Sequence, residues 1–211
     1  MEKEQFELIK ISLLNNFRRE MNGAVAGTMR QLSGLEGLQS YGVSLPTIKS
    51  ICEKIERNHQ FALFLFKSKV RELKIAATII DPEGEVTVEQ ITSWCEDCDN
   101  IEILNSVARL AGKSSVAVKL FDKWIASKDA KYSRLALLIG GEAVRKGVEI
   151  DSYSEKVMRV VLDIGRGEIN ESVFALHALE TQNNSDTAAI KKQLTESNNI
   201  FAAEVGAFIG C

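Results

Sequence analysis

The sequence predicts an all-α protein, an α-solenoid of stacked antiparallel helix pairs, and three observations carry that prediction. Apolar residues recur at i, i+3, i+4 spacing along nearly the whole chain. Alternating Val, Thr and Tyr runs that would mark strands are almost absent, and only two prolines, Pro46 and Pro82, interrupt the helical pattern. Short turn signals separate the runs, and pairs of runs begin near residues 46, 87, 114, 153 and 185, a spacing of roughly 30 to 40 residues.

The elements follow in order. A first helix is expected over about Lys3 to Met21, with Phe6, Ile9, Leu13, Leu14 and Phe17 on one face and charges opposite. Met21 to Met29 contains Gly23 and Gly27, which weaken an isolated helix but let backbones approach, so a short, tightly packed helix is expected after a turn. Ser44 and Leu45 precede Pro46, and proline suits a first helical turn because its missing N–H has no partner there anyway. That helix continues through Ile48, Ile51, Cys52 and Ile55. Two more segments run over His59 to Lys67 and Lys69 to Ile80, and Asp81-Pro82-Glu83-Gly84 stops the second.

Beyond that break, Thr87 is placed to cap a helix carrying Val88, Ile91 and Trp94. Asp99 or Asn100 caps the next, Ile101 to Ala111, which Gly112 is expected to end. Ser114 or Ser115 opens a helix with Leu120, Phe121 and Trp124, and Asp129 opens another that ends near Gly147. Helical runs continue over about Tyr153 to Ile164, Asn170 to Thr181, Ser185 to Glu196 and Asn198 to Phe208. No linker or low-complexity stretch divides the chain, so residues 1–211 read as a single domain of HEAT-like helical repeats. One pair alone leaves its apolar face uncovered, and stacking neighbours closes it; a globular helical bundle is the other arrangement that fits.

Composition narrows the function. At 211 residues, with 45% apolar and 26% charged residues, the chain can bury a sizeable core, and no apolar run approaches the roughly 18 residues that span a bilayer. The start MEKEQFELIK lacks the basic, apolar, small-residue order of a signal peptide, so a cytoplasmic location is expected, with no membrane partner. Cys52, Cys95, Cys98 and Cys211 are too few for a disulfide framework and suit a reducing compartment. The net charge of -3 is unevenly spread: residues 81–102 hold eight acids and no Lys or Arg, whereas residues 109–146 hold nine bases against three acids. The second block is either a solvated helix surface or a stripe that meets phosphates.

Tyr41-Gly42-Val43 ahead of the Pro-started helix, Lys69-Val70-Arg71-Glu72-Leu73-Lys74-Ile75-Ala76, and Trp94 through Ala108 together resemble the DNA alkylation repair family typified by the AlkD-type DNA glycosylases, over roughly residues 40–147. The Met21 to Met29 segment is similar to that of small bacterial members. The resemblance implies HEAT-like helix pairs whose basic concave face holds double-stranded DNA and, in active members, excision of alkylated bases as an N-glycosylase. Active members carry a Trp-Asp-x-Val-Asp-like pattern on the helix matching Ile101 to Ala111, in which the aromatic meets the lesion and the last acid stabilises charge on the sugar. Here that stretch reads Ile101-Glu102-Ile103-Leu104-Asn105. An amide is uncharged and cannot replace the electrostatic work of a carboxylate.

The candidate catalytic residues are therefore Glu102 and Asn105, three apart and so on one helix face, with an ordinary polar stripe as the plain alternative. The familial arginine matches Arg134, preceded by Ser133 where a second arginine is usual. For DNA the candidates are Lys113, Lys119, Lys123, Lys128, Lys131, Arg134, Arg145 and Lys146, placed so that successive pairs can line one concave wall. No cofactor or metal is expected: Cys95 and Cys98 form a lone CxxC without a second ligand pair, and His59 and His177 stand isolated in sequence. Trp94 and Trp124 read as core or inter-repeat packing, with contact to a base as the alternative. The alternative function is a HEAT-like scaffold whose acidic and basic blocks bind a protein partner without catalysis.

Overall fold

The computed structural model describes residues 2–29, 37–163, 178–179 and 187–208, and within them the chain is helical almost throughout. The helices are α1 (Glu2–Arg19), α2 (Gly23–Met29), α3 (Leu45–Cys52), α4 (His59–Phe66), α5 (Arg71–Ile80), α6 (Val88–Glu96), α7 (Ile101–Lys113), α8 (Ala117–Trp124), α9 (Ala130–Arg145), α10 (Tyr153–Asp163), α11 (Thr187–Thr195) and α12 (Ile200–Phe208). The only extended pairing among the described residues is an isolated parallel bridge between Gln39 and Val70. The helix expected over Asn170 to Thr181, together with His177, lies largely or wholly outside the described residues, as does Cys211.

Met1–Leu110 and Ala111–Cys211 form two compact units. In the first, α4 packs along α5, α3 packs on α5, and α1 touches all three. Leu13 and Phe17 of α1 are fully buried, as are Ile48, Leu65, Leu73 and Ile75. Each such side chain contributes about 1.5–3 kcal/mol by leaving water. Phe6 of α1 meets the rings of Phe61 and Phe64 of α4 at centroid distances of 5.1 and 5.9 Å, so the first helix closes over the α4–α5 pair.

Caps fix where these helices begin. Ser44 accepts from the Thr47 N–H with Pro46 in the first turn, and Asn58 accepts from the Phe61 N–H. Thr87 and Gln90 form a reciprocal capping box, and Asn100 rather than Asp99 caps α7, accepting from the Ile103 N–H. The α5 helix starts at Arg71 instead of Lys69 because the Val70 region is held extended: the Gln39 N–H donates to Lys69 O and the Arg71 N–H to Gln39 O.

Two glycine expectations change. The α2 segment is not tightly packed: Gly23 and Gly27 face open space, Met21 and Val25 are exposed, and Ala26 is its buried residue. Gly112 does not end α7, which continues to Lys113. A Cβ at Gly112 would stand 2.6 Å from the Glu142 Cβ and 2.8 Å from Ile139 O, so this glycine permits a close helix contact with α9. Gly147 does close α9 as expected, in the left-handed region at φ +82, with the Val148 N–H bonding back to Ala143 O.

In the second unit α8 and α9 form a pair, α10 packs on α9, and α11 and α12 form another pair that α10 touches through α12. Phe121 lies against the bare Cα of Gly140 and Trp124 against Tyr132, so α8 and α9 run in opposite directions. Asn199 ties α12 to α10 by donating to Leu162 O.

Candidate nucleic-acid interface

The stretch 101–105 is governed by a buried arginine that sequence spacing does not reveal. Arg71, 1% exposed at the start of α5, donates from Nε to Glu102 Oε2 at 2.8 Å and from Nη2 to Glu102 Oε1 at 2.5 Å. Its Nη1 donates to Val43 O and to Glu72 Oε1. Glu72 Oε1 in turn accepts from the Ser40 hydroxyl and from the Tyr41 and Val43 N–H groups. Burial alone would lower the Arg71 pKa, but hydrogen bonding to and the charge of Glu102, then Glu72, outweigh it and raise the value.

Glu102 is thus the bidentate partner of a buried guanidinium, with its side chain one-third exposed, and it ties α7 to α5. Asn105 sits one turn along α7, part-exposed, and its side chain makes no hydrogen bond among the described residues. Ile101 is part-exposed and presents no aromatic face. At this place the structure brings together one carboxylate already paired with a cation, which it shares with Glu72, and one uncharged amide. A salt-bridged carboxylate has less free field to offer a developing sugar cation than an unpaired one.

The candidate cations of residues 113–146 fall into two groups. Lys119 and Lys123 are four apart on α8, and Lys128 lies in the connection to α9. Lys123 and Lys131 stand 5.9 Å over the rings of Trp124 and Tyr132, whose centroids are 5.1 Å apart. Asp129 caps α9 through the Lys131 N–H, and the Arg134 Nε donates to Ala130 O one turn on. The close approach of Gly112 to Glu142 puts Lys113 near the far end of α9, where Arg145 pairs with Glu142 and Lys146 closes the helix. Lys131 and Arg145 are separated by about 21 Å along the axis at 1.5 Å per residue. Lys113, Lys119, Lys123, Lys128, Arg145 and Lys146 are exposed, and Lys131 and Arg134 are half-buried. Trp124, 4% exposed, belongs to the core rather than to a stacking surface.

The acidic stretch 81–102 is not all solvated surface. Asp81 is fully buried, receiving His59 Nδ1 at 2.8 Å on one oxygen and Gln90 Nε2 at 2.5 Å on the other. Burial raises its pKa against the lowering effect of those two contacts. His59, isolated in sequence, is therefore a clasp between the start of α4 and the end of α5. Cys95 and Cys98 are buried, and no group of three or more potential metal ligands occurs among the described residues. No helix among them is long and apolar enough to cross a membrane.

Comparison with known proteins gives this arrangement a family. No curated protein matches the chain. Among solved structures it is similar to one described as belonging to a new family of proteins related to the HEAT-like repeat DNA glycosylases with affinity for branched DNA structures. The TM-score is 0.73 at 16% identity, covering 93% of this chain and 91% of that one. The helix pairs thus have the HEAT-like repeat fold. The family model for the DNA alkylation repair enzyme matches residues 13–163, a span that includes Arg71, Glu102, Asn105 and all the cations described above. The chain belongs to the DNA alkylation repair enzyme family.

Proposed function

We propose that this protein binds double-stranded or branched DNA through the cations of residues 113–146, and that Glu102 and Asn105 do not excise bases. The observation that carries the reading is the exposure of six of the eight candidate cations in two groups on one unit. Exposed cations neutralise phosphates without requiring base-specific contacts. Their separation of about 21 Å along α9 allows two backbone segments to be held at once. The affinity for branched DNA ascribed to the similar solved structure supports the same partner. Against excision stand the pairing of Glu102 with Arg71 and the amide of Asn105. In this reading residues 1–211 are one repeat domain.

The test is paired. The purified chain is incubated with methylated duplex DNA, and base release is measured beside retention of duplex and four-way junction DNA. Retention without release is expected. Release of methylated purine would restore Glu102 and Asn105 as catalytic residues, and absence of salt-sensitive retention would leave the protein-scaffold reading.

A further inference from the structure

A recess of about 730 Å3 opens in the first unit between α4, the 67–69 connection, α6 and the 97–99 turn. It falls within the size range of small-molecule sites. Leu63, Phe66 and Trp94 give it apolar surface, with Phe66 and Trp94 stacked at 4.0 Å and only 3° from parallel. Lys74 of α5 lines the same recess and is 7% exposed. Its ammonium donates to Phe66 O at 2.7 Å and lies 4.2 Å over the Phe66 ring.

No carboxylate stands within 4.0 Å of the Lys74 ammonium among the described residues, and two of its three N–H donors have no partner among them. Buried ammonium groups are ordinarily paired with an anion because desolvation is costly. Burial lowers the Lys74 pKa, an effect that Cys98 and Asp97 only partly oppose. Lys67, Lys69, Asp97 and Asp99, all exposed, line the recess as well.

We propose that this recess binds a small organic anion, with a single phosphate or carboxylate group held by Lys74 and its body resting against Leu63 and Trp94. Burial of the lysine and the acids at the rim select against a long polyanion. The Lys74 ammonium, 7% exposed, is within reach of a small terminal anionic group, and at the rim Asp97 and Asp99 offset the charge of Lys67 and Lys69 that would draw in the neighbouring phosphates of a polyanion. A small molecule with one anionic end meets neither obstacle. The site is independent of the DNA-binding reading.

The experiment is a two-dimensional amide NMR titration of the full chain with inorganic phosphate, adenosine 5′-monophosphate, benzoate and uncharged adenosine. Saturable shifts are expected for the monophosphate or for benzoate at residues 63–69, 74 and 90–99, and not for adenosine. The probe that saturates tells phosphate from carboxylate. Lys74→Met is expected to weaken binding about tenfold or more. If that variant loses its folded spectrum, Lys67→Ala with Lys69→Ala, both exposed, serves instead and should weaken binding severalfold. Shifts that stay linear at millimolar concentrations, that map to the lysines of residues 113–146, or that persist unchanged in these variants would overturn the proposal.

Discussion

Glu102→Gln separates a structural carboxylate from a catalytic one. In the native protein the 1%-exposed guanidinium of Arg71 is balanced by Glu102 through two hydrogen bonds and by Glu72 through one. The amide keeps the shape of Glu102, removes its charge and offers one acceptor in place of two. Breaking a fully buried ion pair costs about 3–5 kcal/mol. The Glu102 side chain is 33% exposed, so water recovers part of that, and about 2 kcal/mol is expected. For a chain of this length the loss corresponds to a fall in Tm of about 4–8 °C. The assay is thermal and urea unfolding of both proteins, with DNA affinity measured in parallel and expected to be unchanged. Arg71→Met should fall further, because the fully buried Glu72 would lose its cation while its Oε2 already lacks a partner. An unchanged Tm for Glu102→Gln, together with lost base release from methylated DNA, would refute this reasoning.

Three other perturbations test the packing and capping of the helices. Burial, with a lesser effect from Glu53, pushes the Cys52 thiol from the ordinary 9.0 up to about 12, so the folded state holds its proton to higher pH than the unfolded state. Its contribution is therefore full below about pH 9 and is lost as pH rises toward 12, by about 1.4 kcal/mol per pH unit. Urea melts between pH 9 and 11 should show a shallower decline in Cys52→Ala, and iodoacetamide should label Cys52 only on unfolding. Gly140→Ala would place a methyl 2.6 Å from the Phe121 ring and 2.8 Å from the Tyr153 ring, and should cost about 1–3 kcal/mol in calorimetry. Thr87→Ala removes one half of the capping box on α6 and should cost about 1 kcal/mol, measured by urea unfolding.

The sequence made the helices legible because their signals are local. Ser44, Thr87 and Asp129 cap the helices that their positions foretell, and Gly147 closes α9 in the conformation glycine favours. What remained hidden was long-range. Arg71 and Glu102 are 31 residues apart, and His59 and Asp81 are 22 apart, so no window of helical periodicity contains either pair. The glycines of α2 and Gly112 carry the same local signal, yet the former face space and the latter meets α9; only packing distinguishes them. Likewise the charges of residues 113–146 were countable in order, but their division into two groups follows from α8 and α9 running in opposite directions. Lys74 reads as one more lysine on an amphipathic helix, and its burial beside a recess is a property of α4 and α6.

The most direct test of the DNA-binding account is the salt dependence of junction DNA binding, followed by fluorescence anisotropy. The native chain is compared with variants carrying Lys123→Glu, Lys128→Glu and Lys131→Glu in one group, or Lys113→Glu, Arg145→Glu and Lys146→Glu in the other. A linear fall of log K with log salt concentration is expected, with a slope shallower by about one for each phosphate contact removed in either variant. Binding that is insensitive to salt, or a slope that both variants leave untouched, would contradict it.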